Sequence, residues 1–381
     1  DVVWPSIGWP CLNVDDLVVK NPKNRMDQLK NQMSIPHLPE APLVSVIVPN
    51  YNDAEFIEAT ISSILNQSYR HLELLIIDGG STDGSLDILR KYDSDARVSW
   101  RSQSDVGPMD ATFNGFEMAN GDLLATIPSN DIYTPDAFSI MVGELVSDPQ
   151  LAFVGGWFEG IDVEGNPNNK NRRLRQGKSD LTLDEIIVND RLPHINASIF
   201  RRDIAMEVIR AGLDRRVGDT IFTLQYMLES ARMGGRSRAI PNVVHNNRTH
   251  PNNRGTGIAV TLADRVDMRK GSKRLARMYR DILSRRQIRS MRRWGYLREL
   301  RYRVATFRVD PRAATVHWSD SVEKPHFTNP SLSEWERRKE RSMFSKALSV
   351  VPPLVGYIWF GGLPHVLSSV GRMLRLLPRG S

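Results

Sequence analysis

Three times between Leu43 and Gly121 a short apolar run gives way to a polar loop and then to residues at helical spacing. LVSVIV (Leu43 to Val48) leads through Pro49 and Asn50 to Ile57, Ile61, Ile64 and Leu65. LELLIID (Leu72 to Asp78) leads through GGSTDGS to a helix over Leu86 to Tyr92, and RVSW (Arg97 to Trp100) through SDVGPMDATFNGF to a helix ending near Gly121. A fourth run, LLATI (Leu123 to Ile127), is stopped by Pro128, which has no N–H to give a ladder. Strands alternating with helices predict an α/β fold, a mostly parallel sheet with covering helices.

In open sheets of this kind ligands bind beyond the carboxyl ends of the strands, so the loops there carry the functional expectations. Pro49, Asn50, Tyr51 and Asn52 offer an aromatic face and amides, and Asn52-x-x-Glu55 resembles a capping box. Asp78 ends its strand on a carboxylate able to accept from a base N–H or a ribose hydroxyl, and Gly79 and Gly80 let backbone approach a ligand. Asp105 and Asp110 flank Gly107-Pro108 at a helix start. Asp83, Asp105 and Asp110 can also be read as cap and turn residues, the preferred reading for Asp83 and Asp110, with Asp110 kept beside Asp105 in the nucleotide-facing set. Ser129-Asn130-Asp131 follows the fourth strand, where a hard oxygen ligand can hold a divalent cation against phosphates. GGSTDG lacks the Lys-Ser/Thr ending of a P-loop and is not G-x-G-x-x-G.

With 40% hydrophobic and 25% charged residues in 381, the chain is globular and long enough for a full core. Its single cysteine, Cys11, excludes an internal disulfide and fits a reducing compartment. No signal peptide is visible, and the first residue is Asp rather than Met. The charge is uneven. Residues 265–312 hold 17 Lys and Arg against 4 Asp and Glu, a net of +13, so against +7 for the whole chain the remainder sums to −6.

VSVIVPNYN, a helix ending ILNQSY, LLIIDGGSTDGS, SDVGPMDATFNG and ANGDLLATIPSND-x-x-x-P, in that order, resemble a family 2 glycosyltransferase of the Rossmann-like GT-A fold. The likeness runs from about Leu43 to Asp136 and more weakly to about His250. It implies an inverting hexosyl transfer from a nucleotide-diphosphate sugar, a UDP-sugar first, to a glycan or glycolipid hydroxyl in cell-surface polysaccharide synthesis. Asp78 is then the base contact, and Asn130-Asp131 the metal-binding loop, with Mn2+ or Mg2+ held by Asp131. Many relatives have two adjacent Asp where this chain has Asn130-Asp131, and Asn is a neutral ligand at best. Asp219, which as a residue is an ordinary helix N-cap, matches the family's catalytic base, with Asp214 as its backup. Arg248-Thr249-His250 matches an element that closes over the diphosphate, which puts His250 beside the metal, while His245 is read as structural.

The expected organisation is an N-terminal arm and linker over 1–42, a GT-A domain over 43–258 (nucleotide half 43–131, acceptor half 132–258) and a helical basic and apolar extension over 259–381. Met268, Leu275, Met278, Ile282, Ile288 and Met291 recur at helical spacing among arginines. Ala347 to Gly371 contains no charged residue, yet Pro352, Pro353, Pro364 and Gly361-Gly362 argue against a clean membrane span. Together these segments predict peripheral attachment to the cytoplasmic face of a membrane, or a homo-oligomer contact. No nucleic-acid reading module is present. A non-catalytic scaffold on a degenerate GT-A fold, acting through the basic tail, is the alternative that Asn130 favours.

Overall fold

The computed structural model describes residues 35–105, 107–168, 177–212, 218–250 and 269–293. The first 34 residues, Asp214, and the extension from 294 onward, Ala347 to Gly371 included, lie outside the described residues.

The sheet is built on β1 (Val44–Asn50), β2 (Leu72–Asp78), β3 (Val98–Ser102) and β4 (Leu123–Thr126). β1 pairs in parallel with both β2 and β4, and β2 with β3. These strands are apolar on both faces because both faces are covered, the pattern expected of a central parallel sheet. Ile47, Leu75, Ile77 and Leu124 point into one core with α3 (Pro108–Met118), α6 (Arg202–Arg210) and α7 (Asp219–Arg232). Val46, Val48, Leu74, Ile76 and Leu123 point into the other, with α1 (Ile57–Leu65) and α4 (Ala137–Ser147). α2 (Ser85–Arg90) follows β2. On the first face α3 rides so close to β1 that a Cβ on Gly115 would stand 2.5 Å from Ile47 Cγ2.

Beyond β4 the parallel pattern breaks. The order across the sheet is β3-β2-β1-β4-β8-β6-β9-β5, with β7 (Ser179–Leu181) also on β9. β8 (Ser198–Arg201) runs antiparallel to β4 and to β6 (Leu151–Ile161), β6 is parallel to β9 (Arg236–Arg248), and β5 (Ile132–Tyr133) is antiparallel to β9. The sheet is therefore mixed, and its all-parallel part is confined to β1–β4. β9 is 13 residues long and ends at Arg248. The short α5 (Leu183–Ile187) starts on a capping box between Thr182 and Glu185.

Two local expectations are corrected. Pro49 does not close β1, which continues to Asn50 opposite Asp78. The Ile47 carbonyl accepts from Ile127 on the β4 side. Two residues on, Pro49 faces the same side, where β4 has already ended, so its missing N–H costs no ladder bond. Asn52 and Glu55 form no capping box: α1 has no side-chain cap, and Asn52 sits at φ 53° with Oδ1 accepting from Thr82 N at 2.8 Å.

Residues 269–293 are helical over 269–278 and 285–293. Leu275, Ala276, Tyr279, Leu283 and Met291 are buried in the α3/α6/α7 core, and Tyr279 donates to Glu229 Oε2 at 2.7 Å. The apolar stripe of this basic segment is covered by the domain, which leaves Lys270, Arg277, Arg280, Arg285, Arg286 and Arg289 exposed. Among the described residues no helix is long and apolar enough to cross a membrane.

Candidate functional site

The carboxyl ends of β1, β2 and β4 share one edge, and the chain returns to it twice. β9 is parallel to β6, and both are antiparallel to β8, hence parallel to β4, so Arg248 arrives at the edge that β4 leaves at Asp131. α7 ends where β9 begins, at the opposite edge beside Leu151, so its first residue, Asp219, points back to the ligand edge. α3, coming after β3, likewise starts there. Phe113 of α3 meets Phe222 of α7 with ring centroids 5.4 Å apart, and Asp110 and Asp219 each stand one turn nearer the edge than their phenylalanine. Acidic residues in a first helical turn are favoured by the helix dipole. Gly218 is the N-cap of α7; Asp219 is its first residue, half-buried, with Oδ1 accepting from Thr220 N.

At the β1–β2 end the predicted contacts divide into inner and outer groups. Asp78 is fully buried and accepts from Asn50 Nδ2 (2.7 Å), Gly80 N (3.0 Å), Ser81 N (2.9 Å), Ser81 Oγ and Ser102 Oγ (2.6 Å). Burial alone would raise its pKa, but these hydrogen bonds, Ser102 and Ser81 foremost, outweigh it and hold the carboxyl below its ordinary value. Asn50 is also buried, donating to Asp78 and Ser81. Asp78, the expected base contact, and the Nδ2 of Asn50, an expected ligand contact, thus shape the loop from Gly79 to Ser81, while the buried Asn50 Oδ1 has no hydrogen-bond partner among the described residues. At this end Tyr51 is 60% exposed and Asp105 is half-buried, its Oδ1 accepting from Gly107 N at 2.8 Å. Between them lies Gly79, where a Cβ would stand 2.8 Å from Asp105 Oδ2 and 3.3 Å from the Tyr51 ring. Gly80, at φ 87°, makes the turn beneath. Pro49, half-buried, stays in β1.

At the β4 end, Asp131 is likewise spent. Its Oδ2 lies 2.8 Å from His245 Nε2, Oδ1 accepts Arg248 N at 2.7 Å, and Asn247 Nδ2 donates to Oδ2 at 3.1 Å. Arg248 reaches back to the carbonyls of Asn130, Asp162 and Val163. Thr60 Oγ1, from α1, lies 2.7 Å from the carbonyls of both Ser129 and Asp131. Asn130 Nδ2 is 2.7 Å from His250 Nε2, and the His250 ring packs on Phe56 at 4.8 Å. Relatives of this fold commonly use a divalent cation at this loop. The residues here do not fit one held by Asp131, whose carboxylate is buried and filled by protein donors. Among the described residues no three His, Cys, Asp or Glu side chains are placed to hold a metal ion. In this structure the two side chains of the expected metal pair are engaged by protein, Asp131 by His245, Asn247 and the Arg248 N–H, and His250 by Asn130.

Sequence reasoning passed over Asp53, Thr60, Ser81, Ser102 and Asn247. Asp53 accepts from Ser129 Oγ, and burial raises its pKa against the opposing pull of Ser129 and His250. Its position after Pro49-Asn50-Tyr51-Asn52 was the available signal.

A mixed α/β domain with a parallel nucleotide-side half and polar loops gathered on one carboxyl edge is the GT-A type of transferase fold. Residues 45–209 match the model of Glycosyl transferase family 2. It is 35% identical over 138 residues to the chondroitin synthase of Escherichia coli, covering 36% of this chain and 20% of that protein. It is 33% identical over 150 residues to the putative teichuronic acid biosynthesis glycosyltransferase TuaG of Bacillus subtilis, covering 39% and 58%. The chain thus spans well under two thirds of either relative's length. S. aureus TarS 1–349, solved in complex with UDP-GlcNAc, shares the fold at a TM-score of 0.57 and 16% identity, over 70% of this chain and 75% of that one.

Proposed function

We propose that the chain is an inverting glycosyltransferase, moving a sugar from a nucleotide-diphosphate donor, a UDP-sugar first, to a hydroxyl of a glycan or lipid-linked acceptor in cell-surface polysaccharide synthesis. The observation that supports this reading is topological: the Tyr51–Gly79–Asp105 corner and the Asn130–His250 pair stand at the carboxyl ends of the strands, and the helix that begins at Asp219 starts toward that same edge. Tyr51 offers a face on which a base can stack, and Asp105 a carboxylate for its N–H or a ribose hydroxyl. Asp219 takes the acceptor hydroxyl proton as that oxygen attacks the anomeric carbon from the face opposite the diphosphate. The new C–O bond forms as the bond to the diphosphate breaks, and the leaving group carries the electron pair away. The UDP-GlcNAc complex of the TarS fragment and the polymer named for each curated relative support the donor and acceptor classes.

The exposed arginines of 269–293 support a surface contact with anionic lipid, since basic residues near such a surface gain about 1 kcal/mol each. With its apolar stripe buried, this segment attaches by charge alone, so flotation with anionic vesicles should be lost at high salt.

The deciding experiment is a donor screen by released nucleotide diphosphate, with and without candidate acceptors, beside calorimetric titration with UDP and GDP. Turnover with one sugar donor is expected. A second reading, the non-catalytic scaffold, is favoured by the neutral Asn130 and the filled Asp131. Failure of every nucleotide diphosphate to bind would establish it in place of the enzyme.

A further inference from the structure

We propose that this chain holds the diphosphate of its donor without a divalent cation, the Asn130 amide and the His250 imidazole replacing the ion by direct hydrogen bonding. The inference rests on the nucleotide-sugar reading above and narrows how that donor is held.

The first observation is that the loop's carboxylate is committed elsewhere. Both oxygens of Asp131 are engaged, by His245, Asn247 and the Arg248 N–H, in a position with no solvent exposure. Turning it toward a cation would leave the Arg248 N–H, itself buried, without its acceptor, and would untie the turn after β4 from the last residue of β9. Such a rearrangement sacrifices several hydrogen bonds to a charged group at once. The clamp is also held from behind: Thr60 fixes the Ser129 and Asp131 carbonyls, and Arg248 fixes the Asn130 carbonyl.

The second observation is what stands at the mouth of the loop. Asn130 is half-buried, and its side chain and the His250 ring are within hydrogen-bond distance of each other. The ring is backed by Phe56, which also carries the Arg248 guanidinium 5.1 Å above its face. An amide and an imidazole offer N–H donors suited to phosphate oxygens. They lack the anionic oxygens that hard cations such as Mg2+ and Mn2+ prefer. Asp53 is a further carboxylate of this corner, and it is engaged with Ser129 Oγ.

The test titrates the full chain with UDP and GDP calorimetrically, once in EDTA and once with excess MnCl2. The affinity of the nucleotide that binds should differ by less than about twofold between the two buffers. Asn130→Asp, which restores an anionic ligand at the mouth, should make binding respond to Mn2+ by about tenfold or more. His250→Ala should weaken binding in EDTA by about tenfold, the worth of a hydrogen bond to a charged group. Binding by the wild type only with Mn2+, or tightened about tenfold by it, overturns the inference while leaving the donor reading intact, whether Asp53 or a turned-out Asp131 supplies the ligand. A folded Asn130→Asp that ignores Mn2+, or a His250→Ala that binds normally in EDTA, overturns the assignment to this pair. Absence of binding by any nucleotide diphosphate in either buffer overturns this inference and the donor reading together.

Discussion

Asp131 and Arg248 hold each other from both sides: the Asp131 carboxylate accepts the Arg248 backbone N–H at 2.7 Å, and Arg248 Nε donates to the carbonyl of Asn130 at 2.9 Å. The turn after β4 and the last residue of β9 are thereby locked together, with His245 closing the other side of the carboxylate. Asp131→Ala should therefore cost stability as well as activity, about 3–5 kcal/mol, because it strips a buried network of the carboxylate that His245, Asn247 and the Arg248 N–H share. Urea denaturation measures the loss. A double-mutant cycle with His245→Leu should return a coupling of about 0.5–3 kcal/mol. Additive effects would mean that the two side chains do not act as a unit.

Asp78 and Asp53 should give pH profiles of opposite sign. The hydrogen bonds on Asp78 depress its folded pKa, so its contribution is present above its unfolded value near ~3.9 and fades as pH falls through the lower folded value. Asp78→Asn is expected to lose about 1.5–3 kcal/mol at pH 7, with the gap to wild type closing in acid below about pH 4. A gap that stays constant down to pH 2 would remove the charge from the explanation.

For Asp53 burial raises the folded pKa, so its stabilising share is complete below the unfolded value and is lost as pH rises through the folded one. Asp53→Asn should raise the melting midpoint at pH 7, and that advantage should disappear below about pH 4. Stability given up at a ligand edge is a common mark of function.

How far these roles could be read in advance depended on whether the carrying interaction is local. β2 was legible to the residue because LELLIID is continuous and bounded by His71 and Gly79. β9 was not: Arg236, Arg238 and the pair Pro241-Asn242 interrupt its pattern. The strand persists because Arg238 is paired to Asp180, Glu144 and Asp148, partners distant in sequence. The same limit explains Asp78 and Asp131. Their place at strand ends was visible, but the donors that fill them come from Ser102, His245 and Arg248, residues that only the sheet order brings near. Asp219 illustrates the intermediate case: its helix start was legible, while its arrival at the ligand edge depends on the directions of α7 and β9.

Gly115 tests the packing that sets α3 against β1. In an exposed helix Gly→Ala gains about 1 kcal/mol. Here the added methyl would meet Ile47 Cγ2 at 2.5 Å and Cγ1 at 2.8 Å, two atoms of a buried β-branched side chain with little freedom to yield. Overpacking at about 1–3 kcal/mol should win, and Gly115→Ala should lower the melting midpoint. Ile47→Ala in the same chain removes both of those atoms, so Gly115→Ala should cost less in that background than in the wild type. If Gly115→Ala alone is stabilising, the helix does not approach the strand as closely as this.

The base assignment is open to a sharper test than loss of activity. Asp219 is half-buried in the first turn of α7, with its carboxylate resting on the Thr220 N–H. Asn in its place can keep that acceptor, so the helix start should survive and the melting midpoint should move little. Proton removal cannot survive, because an amide is not a base near neutral pH. Asp219→Asn should lower kcat by about 100-fold to 10,000-fold, the usual worth of a positioned general base. Affinity for the nucleotide diphosphate should be unchanged, since the Tyr51, Asp105 and Asn130 corner is untouched. Asp110 gives the control: it stands in the neighbouring first turn, beside the same Phe113–Phe222 contact, and is equally acidic. Asp110→Asn should leave kcat within about tenfold of wild type. If Asp110→Asn carries the large loss and Asp219→Asn the small one, the proton goes to α3 rather than to α7. Equal large losses would mean that the two carboxylates share the task.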